Sequence, residues 1–134
     1  MNNNELAYLI ARASIGISMF THGLVRLPKI DKFSAWMTGQ FQSSMLPEVI
    51  VRPFSYALPF LEFLVGILLV LGLFTRFGLV LGGVVMLMLL FGTGIIENWE
   101  AVPSQLIHSA FFAVLLALIS YNRFSIDTLR KKNG

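Results

Sequence analysis

Residues 54–96 read FSYALPFLEFLVGILLVLGLFTRFGLVLGGVVMLMLLFGTGII, and only Glu62 and Arg76 among them carry a formal charge. A helix needs about 20 mostly apolar residues to cross the hydrocarbon core of a bilayer. The stretch is therefore long enough for two crossings, with Thr75-Arg76 as a tight turn between antiparallel neighbours. Strands of a membrane barrel would alternate apolar and polar residues, and Leu68-Leu69-Val70-Leu71 and Met86-Leu87-Met88-Leu89-Leu90 do not. Backbone groups in lipid must be paired within their own segment, so each crossing reads as a helix.

Working outward, two more apolar segments flank this pair. The expected fold is all-α: an integral-membrane four-helix bundle forming a single domain over residues 1–134, with spans at about 6–27, 54–74, 77–96 and 104–121. Composition agrees, since 56% of the residues are hydrophobic and 13% are charged, against about 25% charged in a soluble domain. These values exclude disordered, fibrous and basic nucleic-acid-binding classes. The expected surroundings are a lipid bilayer, with no nucleic-acid partner and either a homo-oligomer or a larger membrane complex. The chain has no cysteine, which removes disulfides, Cys-based zinc sites, iron–sulfur clusters and thiol nucleophiles. Residues Met1 to Leu9 contain Glu5 and no Lys or Arg, so the basic start of a signal peptide is missing and the first helix is expected to be retained.

Between the first two spans, Pro28 to Pro53 forms a long connection. Phe33, Trp36, Met37 and Phe41 recur there at helical spacing, which fits either a short amphipathic helix in the membrane interface or an exposed loop. Arg12, Arg76, Arg123, Arg130, Lys131 and Lys132 fall on the side of the termini, and Arg26, Lys29, Lys32 and Arg52 on the other. The excess puts both termini in the cytoplasm. The basic tail from Ser125 to Gly134 is expected at the anionic inner leaflet.

Ionisable residues within spans are costly and mark candidate functional sites. Here they are Arg12, His22, Glu62 and His108. Arg12 is placed to snorkel towards the inner headgroups as a topology anchor. At 1.5 Å per residue, His22, Glu62 and His108 share the outer half of the bilayer within roughly 10 Å of depth. At 100° per residue, Arg12, Gly16, Met19, His22, Gly23 and Arg26 form one stripe on the first helix. Ser55, Glu62, Gly66, Leu69 and Arg76 form another on the second. Glycines on those faces allow close helix approach, as does the Gly78-x-x-x-Gly82 spacing on the third.

Several uses of this cluster stay open. Glu62 paired with Arg26 or a protonated histidine would be a charge-compensated polar core. A quinone-type site would use His22, Glu62 and His108 for the head and Phe20, Trp36, Phe60 and Phe63 for stacking. Two histidines and a carboxylate fit some metal-ligand sets, but no HExxH-type spacing supports one, so no metal ligands are assigned. Ion or solute conduction would require an oligomer. Phosphate-cradling and nucleophile-elbow motifs are absent.

The segment Arg12-x-x-x-Gly16-x-x-x-Phe20-x-His22-Gly23-x-x-Arg26 resembles the first-helix signature of the DoxX family. Leu61-Glu62-Phe63-Leu64-Val65-Gly66, followed by Ile67 to Leu71 and Gly72-Leu73-Phe74-Thr75-Arg76, resembles its second-helix signature more closely still. The basic residue closing the first signature is often Lys in the family and is Arg26 here, which keeps the charge and changes the donor geometry. The resemblance makes Arg12, Gly16, His22, Gly23, Arg26, Glu62, Gly66 and Arg76 signature positions; His108 is a candidate from depth alone. It implies a bacterial inner-membrane protein with links to redox metabolism, some relatives being the membrane-embedded part of thiosulfate:quinone oxidoreductase and others serving in oxidative stress. A sulfur-transfer step without a thiol would need a partner protein or cofactor. The resulting expectation is a subunit of a redox or quinone-linked system, with quinone as the possible cofactor and Glu62 and His22 as catalytic candidates. In it His22, Arg26, Glu62 and His108 are the ligand-binding set. The competing expectations are a non-catalytic adaptor or assembly protein and a small transporter.

Overall fold

Asn2 starts the first helix. Its side chain accepts the Glu5 N–H at 2.8 Å while Glu5 accepts the Asn2 N–H, a reciprocal cap that satisfies two orphan donors. From there α1 runs over Asn3–Arg26. A short 3-10 turn at Leu27–Lys29, built around Pro28, redirects the chain into α2 (Ile30–Gln40). Then follow α3 (Glu48–Leu71), α4 (Thr75–Ile95), α5 (Val102–Ala117), a 3-10 turn at Ile119–Tyr121 and α6 (Ile126–Asn133). This computed structural model describes residues 1–133, and no strand occurs among them. The fold is an all-helical bundle in which α3 and α4 are each long and apolar enough to cross a membrane, while α5 is a shorter apolar helix.

The connection after the first span is largely helical. Its α2 buries Phe33 and Met37 and leaves Trp36 exposed. Ser34 Oγ donates to Ser55 Oγ at 2.6 Å, and both residues are fully buried, which docks α2 onto α3. The following helix begins at Glu48, earlier than the expected Phe54, and carries Pro53 and Pro59 in its interior. Each proline removes one i to i−4 hydrogen bond.

The turn between the two central helices is not at Thr75-Arg76, because both residues lie inside α4. The reversal occupies Gly72 to Phe74. Gly72 adopts φ 67°, and the Leu73 N–H reaches the Leu68 carbonyl at 2.9 Å, a left-handed helix stop. Phe74 also has positive φ, a strained conformation for a side-chain-bearing residue. Its N–H donates to Asp127 Oδ1 at 2.7 Å, and the Thr75 N–H donates to Oδ2 at 2.8 Å. Asp127 on α6 thereby caps α4 from the far end of the chain. Burial pushes the Asp127 carboxyl up, but the Thr75 and Phe74 hydrogen bonds and nearby Arg130 outweigh it and hold the carboxyl below the usual aspartate range. The tail is thus a docked structural element at this position rather than only a basic strand.

Arg12 does not snorkel. It is 3% exposed, with Nε donating to the Leu69 carbonyl at 2.9 Å and a guanidinium N–H donating to Asn122 Oδ1 at 2.6 Å and the Phe124 carbonyl at 3.0 Å. The cation ties α1, the end of α3 and the tail together. Tyr8 Oη adds a 2.6 Å bond to the Leu115 carbonyl on α5.

Three signature glycines lie at the α1–α3 crossing. A Cβ on Gly16 would meet the Val70 backbone at 2.9 Å, one on Gly23 the Phe63 nitrogen at 2.6 Å, and one on Gly66 the Phe20 nitrogen at 2.3 Å. On α4, Gly78 faces Leu68 and Leu69 while Gly82 seats the Phe112 ring of α5. Arg76 departs from the expected stripe: it lies on α4 and is exposed, away from Glu62.

Candidate functional site

Opposite the capped turn the helices part around a cavity of about 620 Å³. His22, Arg26, Glu62 and His108 all line it. The bundle therefore brings together the three residues singled out by depth, His22, Glu62 and His108, with Arg26 from the first-helix stripe beside them. Pairing Gly23 and Gly66 with opposing backbone is what sets α1 close enough to α3 for the ion pair beside it.

Arg26 donates to Glu62 Oε1 at 2.7 Å, with the Glu62 side chain 3% and the Arg26 side chain 28% exposed. The Arg26 guanidinium also lies 4.6 Å from the centre of the Phe33 ring, a cation–π contact. Burial of a lone carboxylate would be costly, and this pair offsets part of that cost. His22 and His108 meet edge to face with ring centres 6.1 Å apart.

The hydrogen bonds set the tautomers. His22 Nδ1 lies 2.6 Å from the Ser18 carbonyl and His108 Nδ1 lies 2.8 Å from the Ser104 carbonyl. A carbonyl only accepts, so both Nδ1 atoms carry hydrogen. In the neutral ring His108 Nε2 then accepts from Ser18 Oγ at 2.9 Å. His22 presents its Nε2 without a protein partner among the described residues. Glu62, His22 and His108 do not close into a metal-binding group, and no cluster of three or more such ligands occurs among the described residues.

The stacking residues expected from sequence divide. Trp36 lines the cavity. Phe20 and Phe63 instead stack on each other at 5.0 Å, and Phe60 is 61% exposed. In their place Phe33, Phe41, Phe54 and Phe91 form aromatic wall. Gln105, which the depth and motif readings do not single out, donates to Thr93 Oγ1 at 2.9 Å beside the cavity. The spacing Ser104, Gln105, His108 on one helix was the available signal for a polar face there.

A helical architecture with helices long and apolar enough to cross a membrane, parted around a cavity lined by apolar and polar side chains, defines a helical membrane protein. A DoxX family model matches residues 7–95, well over half of the chain. The chain belongs to the DoxX family, which is membrane-associated. The match ends with α4, so His108 on α5 lies beyond it. No curated protein and no solved structure matches the chain.

Proposed function

We propose that this protein is a subunit of a redox or quinone-linked system of the bacterial inner membrane. In this proposal the helices make four crossings with both termini in the cytoplasm. The observation that carries it is the single cavity in which His22, Arg26, Glu62 and His108 stand at one end of aromatic, Met and Leu walls.

The residues present fit a quinone ring. The cavity falls within the 300–1,000 Å³ range of small-molecule sites. Quinone oxygens accept hydrogen bonds when oxidised and donate them when reduced. Arg26 offers guanidinium donors, while Glu62 and His22 Nε2 offer acceptors, so both forms find partners. When bound, a quinone supplies a two-electron, two-proton carrier confined to the bilayer. The chain's own residues orient the ring and hold its protons: Glu62 as the proton-accepting or orienting carboxylate, His22 through Nε2, and His108 as a fixed neighbour. Arg26 keeps the Glu62 charge balanced.

Quantifying quinone extracted from protein purified in mild detergent tests this reading. The expected result is a near-stoichiometric amount in the wild type that falls in Glu62→Gln. Its absence from both samples would overturn it in favour of an adaptor or assembly role. A specific observation favours that second reading: Arg26 and Glu62 already satisfy each other, and both His108 nitrogens are engaged within the protein.

A further inference from the structure

The cavity has two different ends and an open side. At the capped-turn end, α3 and α4 are packed tightly, with a Cβ on Gly78 placed 3.2 Å from Leu69 and 3.4 Å from Leu68. Towards the other end Ile50 and Phe54 on α3 and Leu87 and Phe91 on α4 all line the cavity. Ile50, Leu87 and Phe91 are 57%, 65% and 64% exposed. Beyond them, the Phe41 ring from the α2–α3 connection lies on Gly92, where a Cβ would come within 3.0 Å of it. That contact straps the connection across to α4.

We infer that the cavity opens sideways into the bilayer between α3 and α4, and that it takes an amphiphile with a neutral polar head whose hydrocarbon tail leaves through this opening. Two observations select that chemistry. Between α3 and α4 the rim is apolar, so lipid rather than water meets it there, whereas the exposed polar residues of the lining, Gln40, Asn98 and Ser104, lie at the loop end. The charged lining residues are Arg26 and Glu62, which cancel at 2.7 Å. A phosphate- or ammonium-headed lipid would bring an unmatched charge into this site. The inference rests on the cavity being the ligand site proposed above, and it adds where the ligand comes from and what it must carry.

Two measurements on the full chain in lipid nanodiscs test it. The first substitutes Trp36→Phe, Trp99→Phe and Phe54→Trp, and compares unbrominated phosphatidylcholine with phosphatidylcholine brominated on its acyl chains. The introduced indole should lose at least half of its fluorescence in the brominated lipid. Loss of under a tenth would overturn the sideways opening. If this variant does not elute as the wild type does, Trp99→Phe with Trp36 as reporter replaces it. The second measures quenching on adding dimethoxy-methyl-benzoquinone or its decyl derivative. Narrowing the rim by Leu87→Phe should slow binding of the decyl compound at least threefold and leave the chainless ring unaffected. Equal rates for both compounds in both proteins would overturn the opening and leave the quinone reading standing. Lipid quenching without binding of either ring would uphold the opening and remove the quinone reading.

Discussion

Gly66 and Phe20 meet backbone to backbone, since a Cβ on Gly66 would stand 2.3 Å from the Phe20 nitrogen. The obstacle is main chain and cannot swing aside. Gly66→Ala should therefore separate α1 from α3 and cost about 3 kcal/mol, the upper end for overpacking a core. Gly83, with nothing within 4 Å, supplies the comparison. There Ala should be neutral or stabilising by up to about 1 kcal/mol, because glycine is the more costly residue in a helix. Reversible unfolding in mixed detergent micelles would measure both, and equal effects at the two positions would contradict this account of the crossing.

Arg12 holds three acceptors on two distant segments. Hydrogen bonds from a charged group contribute about 1.5–3 kcal/mol, so Arg12→Ala should destabilise by at least that amount. Arg12→Lys should recover only part, since an ammonium lacks the planar fork. Trypsin should then cut at Arg123 and Arg130 faster in both variants. Unchanged cleavage would mean that the tail is held by other contacts.

For the Arg26–Glu62 pair the direction depends on which side chain is left behind. Glu62→Ala strands a cation and should cost about 3 kcal/mol, at the low end for breaking a buried pair because Arg26 is partly exposed. Removing both charges together, as Arg26→Met with Glu62→Leu, should cost clearly less. Membrane abundance and unfolding midpoints of the three proteins would decide, and a double variant as unstable as Glu62→Ala or more so would count against the pair.

The cap on α4 should respond to acid. Asp127 has a folded-state pKa below its unfolded value. It therefore binds fewer protons when folded, and its stabilisation is fully present above about pH 5. That stabilisation is lost as pH falls through the depressed folded value. Protection of the Phe74 and Thr75 amides against hydrogen exchange, relative to the free-peptide rate at the same pH, should fall below about pH 4, and Asp127→Ala should show the low protection at neutral pH with a loss of about 1 kcal/mol. Protection independent of pH in the wild type would rule out the carboxylate as the cap.

What was legible in the sequence follows from what is periodic. The apolar runs fix the helices, and glycine spacing points to the α1–α3 contact. Depth alone gathered His22, Glu62 and His108 at one level, where the structure lines them around one cavity. Angle and depth do not say which neighbour a face will meet. Depth and composition place Phe20 and Phe63 near the cavity, yet they face each other at the crossing. Two of the three Arg12 acceptors lie more than a hundred residues away on the tail and the third 57 residues away on α3, so no local pattern announces them. The turn was misplaced because Thr75-Arg76 is the polar break in an apolar run, while the backbone reverses at Gly72, whose lack of a side chain also admits Arg12 and Ser125 close by.

The distance along the chain between Phe74 and its cap also imposes an order on assembly. Asp127 follows Phe74 by 53 residues, so α3 and α4 are both synthesised well before the group that satisfies the bend between them exists. Until that segment emerges, the strained Phe74 conformation lacks its carboxylate. A chain cut just before Asp127 would keep every apolar helix and the Arg12 contacts to Asn122 and Phe124, and would lose the cap on the bend between α3 and α4.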